Sequence, residues 1–159
     1  MREHRATPGH SFHVSCGAIV FRKTKKGIKV LLLHRFKSES WPHDSWHLPK
    51  GTKRKNETNQ QAVKRECLEE TGYQVKILKK IGSLKSTYKL NDSVTADKIT
   101  HYYTCKPIKK LLNQIGEYDE QKWVDLPEAI KLVSKFKIWG KEEEILKKFA
   151  KNCHCPHTN

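Results

Sequence analysis

The stretch from Thr58 to Gly72 constrains the fold most, because it carries both a start signal and a stop signal for one helix. Thr58 and Gln61 have the spacing of a capping box, and Gly72 suits the left-handed position that follows a helix. Between them lies a narrow apolar stripe of Ala62, Val63 and Cys67. The sequence therefore predicts a helix over residues 58–71 that packs through one narrow face.

Runs rich in β-branched and apolar residues flank this helix. Before it, "VSCGAIVFRK" (14–23) and "IKVLLLHRF" (28–36) are joined by "TKKG", which is typical of a hairpin. After it, residues 73–86, 98–105 and 122–124 are predicted strands, with a polar loop between the first two. Two further helices are predicted from "DLPEAIKLVSKF" and "GKEEEILKKFAK". This order predicts a mixed α/β fold with helices that can cover a sheet.

A chain of 159 residues is expected to form one domain with its own core. We expect that domain to span residues 14–151, with a flexible segment at 1–13 and a flexible tail at 152–159. Five cysteines without a regular framework indicate a reducing, cytoplasmic setting. The tail contains three side chains able to bind a soft metal, Cys153, Cys155 and His157. Their spacing matches no standard zinc arrangement, so a frayed end is the favoured interpretation.

Positive charge dominates the chain and is unevenly distributed. Lys and Arg number 32 against 17 Asp and Glu, which gives a net charge of +15, and residues 1–56 contain only three acidic residues. Such a field attracts polyanions, so nucleotides are expected partners and RNA is a second one; a merely solubilising surface is the alternative. No apolar run approaches the length of a membrane span, so no membrane partner is expected. The oligomeric state is left open.

Three glutamates break this positive pattern within the predicted helix. Glu66, Glu69 and Glu70 converge on one patch at helical spacing, where like charges repel each other. Mg²⁺ and Mn²⁺ prefer oxygen ligands and often share their coordination shell with substrate phosphates. Either the patch is an ordinary solvated helix surface, or a divalent cation belongs between the carboxylates.

The surroundings of these glutamates resemble the signature of the Nudix (MutT-like) hydrolases. The match runs from Gly51 through Glu57 to "RECLEETGY" at 65–73, with Cys67 and Tyr73 standing where that family usually has aliphatic residues. The resemblance extends over most of the chain. It implies an α/β/α sandwich with a mixed β-sheet, and hydrolysis of a nucleoside diphosphate linked to another group.

The resemblance also implies roles for individual residues. The metal ligands that it implies are Glu66, Glu69, Glu70 and the carbonyl of Gly51. One of these three glutamates would also serve as the base, and which one is left open. Arg65 and Glu57 would hold the loop and the helix together, with a plain surface ion pair as the alternative for Arg65. Because "EYDEQKWV" looks like a segment of bacterial RNA pyrophosphohydrolases, Glu117 is the expected additional ligand and Glu120 the alternative.

Two further segments, "SWHLPKG" (45–51) and "KITHYYTC" (98–105), look most like the diadenosine tetraphosphate hydrolase branch. The predicted phosphate contacts are Lys50, Lys85 and Arg35. The predicted stacking platforms for adenine are Trp46, Tyr88 and Tyr103. For each of these residues except Lys50, an ordinary core or surface position is the favoured alternative. The leading hypothesis is a Mg²⁺- or Mn²⁺-dependent hydrolase of dinucleoside polyphosphates. The alternatives are an RNA 5′-end or nucleoside triphosphate pyrophosphohydrolase and a non-catalytic Nudix-fold binding module, which three repelling carboxylates disfavour.

Overall fold

The computed structural model describes residues 4–7, 10–113, 118–137 and 141–153. It confirms the mixed α/β order. The elements, in chain order, are β1 (His4–Thr7), β2 (His10–Thr24), β3 (Gly27–Arg35), β4 (Ser45–His47), β5 (Lys50–Thr52), α1 (Asn59–Thr71), β6 (Tyr73–Asn91), β7 (Val94–Lys110), β8 (Glu120–Asp125), α2 (Leu126–Val133) and α3 (Glu142–Cys153).

Strand β2 organises the sheet, because different parts of it pair with different strands. Its residues 10–20 run parallel to residues 95–105 of β7, and residues 21–24 pair antiparallel with the start of β3. Residues 15–17 pair antiparallel with β5. Strand β3 also pairs with β4 and β8, and β7 pairs with β6. The sheet is therefore mixed, and the short strand β5 pairs with the middle of β2.

Helix α1 forms where the sequence predicts it. The hydroxyl of Thr58 accepts a hydrogen bond from the backbone N–H of Gln61 at 3.1 Å, and the Gln61 side chain accepts one from the Thr58 N–H at 2.8 Å. Both halves of the capping box are present. The helix ends at Gly72, whose φ of 79° is the left-handed conformation that glycine adopts without steric cost.

The polar loop expected between the third and fourth strands is wrong. Strands β6 and β7 instead continue as a long hairpin to Asn91 and Val94. The Asn91 side chain accepts hydrogen bonds from the N–H and the hydroxyl of Ser93, and Thr87 donates to Asp97 across the strands. Because these strands pair through polar side chains, they lack the apolar alternation by which strands are recognised in a sequence.

Hydrophobic residues pack on both faces of the sheet, which confirms the sandwich. On the α1 face the cluster includes Cys16, Val20, Ala62, Val63, Cys67, Tyr103 and Cys105. On the other face, α2 and α3 contribute to a cluster that includes Ile19, Leu32, Leu48, Tyr102, Leu146 and Phe149. Burial raises the pKa of the Cys16 thiol to about 11 and that of Cys105 to about 12, so both behave as small core residues.

The limits of the domain stay a prediction. Part of the segment expected to be flexible is in strand structure, since His4–Thr7 pairs with residues 10–13. The metal-capable Cys155 and His157 of the tail lie outside the described residues, whereas Cys153 is half-buried at the end of α3. Within the described ranges, none of the helices has the length and apolarity that crossing a bilayer requires.

Candidate active site

Glu66 of α1 lies directly against the backbone of β5 at Gly51. A Cβ atom on residue 51 would overlap the Glu66 carboxylate, so only glycine leaves room for this approach. The position of Gly51 is set by its antiparallel pairing with Cys16 of β2. Packing of α1 on the sheet thus brings the glycine and the first glutamate of the predicted site together.

Glu70 is the least satisfied carboxylate of the site. Its Oε1 accepts a hydrogen bond from the Lys50 backbone N–H at 3.2 Å, whereas its Oε2 is buried and has no hydrogen-bond partner among the described residues. Burial, followed by the neighbouring Glu66 carboxylate, raises the pKa of Glu70 to about 9. A buried carboxylate oxygen without a partner, beside a second carboxylate, is an environment that a hard cation would stabilise.

Arg65 ties the loop after β5 to the helix. Its guanidinium donates to Glu57 through Nε at 2.7 Å and Nη2 at 2.9 Å, and Nη2 also donates to the Thr52 carbonyl at 3.1 Å. Through Nη1 it reaches Glu66 at 2.7 Å. The side-chain hydrogen bonds from Arg65 are the main cause that lowers the pKa of Glu57. The structure therefore shows a partly buried ion network rather than a simple surface pair.

The loop that presents Glu57 is tight. The backbone N–H of Arg54 donates to Glu57 Oε1 at 2.8 Å, and the intervening Asn56 has a φ of 68°. This is the left-handed region, which asparagine tolerates better than most residues. The turn aims the Glu57 carboxylate at Arg65, so the loop and α1 are held in one arrangement.

Glu69 takes a different direction from the other two glutamates. Its side chain is 48% exposed and bonds to Arg65 at 3.2 Å and Arg54 at 3.5 Å. Consequently, no group of three or more His, Cys, Asp or Glu side chains in the described part of the chain is already gathered to hold a metal ion. The pair of Glu66 and Glu70, together with the orphaned Glu70 oxygen, does fit a hard divalent cation.

Two acidic residues that follow β7 in the chain are the predicted candidates for the additional ligand. Glu117 lies outside the described residues. Glu120, the alternative, accepts a hydrogen bond from His34 Nδ1 at 2.8 Å and pairs with Lys122 at 3.6 Å. The structure does not bring Glu120 together with the glutamates of α1, but places it in a separate polar cluster on β3 and β8.

Lys50 is one of the predicted phosphate contacts. Its side chain is buried on the face of the sheet that α3 covers, opposite α1. Its ammonium lies 3.4 Å from Glu142 of α3, and both side chains are only 4% exposed. Glu142 also accepts from the Tyr102 hydroxyl at 2.6 Å and the Leu48 N–H at 3.2 Å. Burial opposes ionisation of Glu142 most strongly, but Lys50, His47 and Tyr102 together hold its pKa below the ordinary value. Sequence reasoning missed Glu142, because it stands in a run of three glutamates that suits any helix start.

The predicted stacking residues are not gathered around the glutamates. Trp46 is stacked on His34, with ring centroids 3.9 Å apart and an angle of 4° between the planes. Tyr103 is buried beneath α1, where Asn59 donates to its hydroxyl at 3.3 Å. Tyr88 is half-buried on β6. Both Trp46 and Tyr103 therefore contribute to the interior, as aromatic residues commonly do.

The other two predicted phosphate contacts are also apart from α1. The Arg35 guanidinium lies 4.2 Å above the Trp41 ring, a cation–π contact at the end of β3. Lys85 is exposed on β6 and lines a groove toward α3, together with Lys137 and Lys141. Of the three, only Lys50 touches the carboxylate site, through its backbone N–H.

Comparison with known proteins places this geometry in a family. The family model described as NUDIX domain matches residues 11–149. The chain belongs to the NUDIX family. As a Nudix hydrolase it acts on pyrophosphate bonds, and members of this family generally use divalent metal ions.

Solved structures agree with the fold. The Ap4A hydrolase of C. elegans superposes with a TM-score of 0.64 at 22% identity, over 89% of this chain and 97% of that one. The MutT protein from Methanosarcina mazei Go1 superposes with a TM-score of 0.60 at 21% identity, over 91% of this chain and 96% of that one. The NUDIX domain of Shewanella oneidensis NrtR, solved with ADP ribose, superposes with a TM-score of 0.62 at 17% identity, over 89% of this chain and 88% of that one. At these identities the likeness concerns the fold.

Proposed function

We propose that this Nudix hydrolase depends on Mg²⁺ or Mn²⁺ and cleaves dinucleoside polyphosphates, such as diadenosine tetraphosphate, at a pyrophosphate linkage. One observation carries the metal site: Glu66 is pressed against Gly51 beside Glu70, whose buried Oε2 has no hydrogen-bond partner among the described residues. Carboxylates gathered at such cost, with the pKa of Glu70 raised to about 9, call for a cation.

The proposed ligands are Glu66, Glu70 and the Gly51 carbonyl, with Glu69 and Glu117 as further ligands. When bound, the metal ion supplies charge neutralisation on phosphate and a water of lowered pKa. Glu69 is the proposed base, because its exposed carboxylate is the one that solvent reaches most freely. Arg65 and Glu57 keep α1 and the preceding loop in register.

The proposed substrate has a long polyphosphate chain with a nucleoside at each end, and basic and aromatic side chains of this protein could contact these parts. Arg35 and Lys85 are proposed to meet outer phosphates, Lys50 the phosphate nearest the metal site, and Tyr88 and Trp46 the nucleoside ends. A structure of similar fold is named as an Ap4A hydrolase. The buried cysteines Cys16, Cys67 and Cys105 are free thiols, which is compatible with the cytoplasmic location that we propose.

A second candidate is an RNA 5′-end pyrophosphohydrolase, and one specific feature favours it. The hairpin of β6 and β7, residues 73–110, contains nine lysines and only two acidic residues. A single strand whose Z phosphates are neutralised by such a surface should bind with a log–log salt slope of about −0.7Z. Nucleoside triphosphate hydrolysis and nucleotide binding without turnover are the remaining alternatives.

A turnover panel with Mg²⁺ separates these candidates. The substrates are diadenosine tetraphosphate, nucleoside triphosphates, ADP-ribose and 5′-triphosphorylated RNA. We expect the tetraphosphate to have the highest kcat/KM. The proposal fails if the RNA is turned over at least about tenfold more efficiently, a difference of about 1.4 kcal/mol in transition-state stabilisation. No turnover of any substrate, with binding retained, would favour the binding module.

A further inference from the structure

A groove with a volume of about 750 Å³ lies between α1 and residues 74–78 of β6, on the face of the sheet that α1 covers. Its floor is aliphatic, because Val75 is buried and Leu68 and Ile77 are half-buried there. Strand β6 is the last in the order of the sheet, so it pairs with no second strand of the described residues. Of the residues assigned to the metal site and the substrate, only Arg65 lines this groove. The groove is therefore a separate, open feature of the surface.

Two large apolar side chains are exposed to water along this groove. Leu78 of β6 is 43% exposed and Ile108 of β7 is 60% exposed, and both line the groove. Each is a residue that the register of β6 and β7 skips, so each stands at a β-bulge. A bulge turns a side chain out of the regular alternation of a strand. Exposed apolar side chains that are grouped at one groove, rather than scattered singly, indicate an interaction site.

The rim of the groove is positively charged. Lys64 of α1 and Lys76 of β6 are exposed there, whereas no Asp or Glu is among the described residues that line the groove. An aliphatic floor beneath a cationic rim complements a ligand that carries both aliphatic and carboxylate groups. A peptide segment that contains leucine or valine together with aspartate or glutamate has this chemistry.

Other partners fit the groove less well. Single-stranded RNA is bound on aromatic platforms, and no aromatic residue is among the described residues that line the groove. A bilayer presents a broad surface, whereas the aliphatic floor at Val75 is recessed and buried. A second copy of this chain carries the same net charge of +15, which opposes self-association. These comparisons favour an acidic segment of a different protein.

We propose that the groove between α1 and β6 binds an acidic, aliphatic segment of another protein. The aliphatic side chains of that segment pack on Leu78 and Ile108, and its carboxylates pair with Lys64 and Lys76. This surface gives the hydrolase a docking site for a protein partner, and it depends on neither the metal site nor the substrate of the proposed function.

The test begins with a phage library of short random peptides, which is selected on the full wild-type chain. The most enriched peptide is synthesised with a fluorescent label, and its Kd is measured by anisotropy. The apolar variant is Leu78→Gln with Ile108→Gln. Its control is Phe36→Gln, because Phe36 is 50% exposed just after β3 and does not line the groove.

The contribution of charge is tested in the same way. Lys64→Gln with Lys76→Gln removes two positive charges from the rim. The matched control removes two exposed lysines of α3, on the opposite face of the sheet, through Lys147→Gln with Lys151→Gln. Circular dichroism and the melting temperature establish that each variant is folded.

We expect the enriched peptides to be acidic and rich in aliphatic residues. The apolar variant should raise the Kd at least about tenfold and the rim variant at least about threefold, whereas each control should change it less than about twofold. A second measurement needs no variant: the bound peptide should slow amide hydrogen exchange of the wild-type chain in residues 60–68 and 74–78.

Three results would overturn the proposal. The first is that no peptide is enriched, and the second is that the apolar variant binds the peptide as tightly as wild type. The third is that the apolar variant loses binding to phosphatidylserine vesicles or to single-stranded RNA while peptide binding is unchanged. That result would assign the surface to a membrane or to nucleic acid instead.

Discussion

Two carboxylate clusters of this protein differ in how fully the protein's own side chains pair them. Around His34, each ring nitrogen faces a carboxylate: Asp44 at 2.6 Å and Glu120 at 2.8 Å. At α1, by contrast, Arg65 is shared among several glutamates and a Glu70 oxygen has no hydrogen-bond partner among the described residues. Paired carboxylates such as those around His34 therefore support the fold, whereas uncompensated ones indicate where a cation binds.

The largest expected effect concerns the guanidinium that α1 does have. Arg65→Met leaves Glu57, Glu66 and Glu69 without their shared partner, and should lower the free energy of unfolding by about 3–5 kcal/mol. Urea unfolding measures this. Lys29→Met is the control, because the exposed pair with Asp125 at 3.6 Å should contribute less than about 1 kcal/mol. Similar losses in both variants would show that the Arg65 network is no more than a surface pair.

A different histidine, the buried His47 near Glu142, lies outside both carboxylate clusters and should make the stability depend on pH. Burial lowers the pKa of folded His47 to about 4 from an ordinary value of 6.5, so the unfolded chain takes up the proton first as pH falls. The stability that neutral His47 contributes is therefore complete above about pH 6.5 and lost as pH falls toward 4, by up to about 3 kcal/mol. His47→Gln should flatten the unfolding free energy across this window. An unchanged pH profile would contradict the assignment of a neutral, buried imidazole.

The two settings should differ in their effect on turnover. Glu66→Gln removes negative charge from the proposed metal site, and we expect kcat to fall at least about a hundredfold, or about 2.7 kcal/mol. Asp44→Asn changes a carboxylate of the same kind in the His34 cluster, where we expect less than about a threefold change. Comparable losses in the two variants would remove the distinction between paired and uncompensated carboxylates.

Helix α1 could be predicted because its start and stop signals are local, whereas contacts between distant residues leave no comparable pattern in the sequence. The capping box and Gly72 act within a few residues, so the helix bounds agree to within one residue. The approach of Glu66 to Gly51 was implied only by the family signature, because the fourteen intervening residues carry no pattern that indicates this contact. Glu142 was missed since its partner Leu48 is 94 residues away. Aromatic residues such as Trp46 and Tyr103 look the same in a sequence whether they line a binding pocket or fill the core. Only the packing in the structure distinguishes the two positions.

The most direct test of the metal site is a thermal scan with and without Mg²⁺ for wild type and Glu70→Gln. Binding to the folded state at ten times Kd stabilises it by about 1.4 kcal/mol, which corresponds to a shift of about 3–6 °C in Tm for a chain of this size. We predict this shift for wild type and a clearly smaller one for Glu70→Gln, because the glutamine cannot release a proton and present a charged carboxylate to the cation. Equal stabilisation of the two proteins would contradict the account, because the uncompensated carboxylate of Glu70 would then have no part in binding the cation.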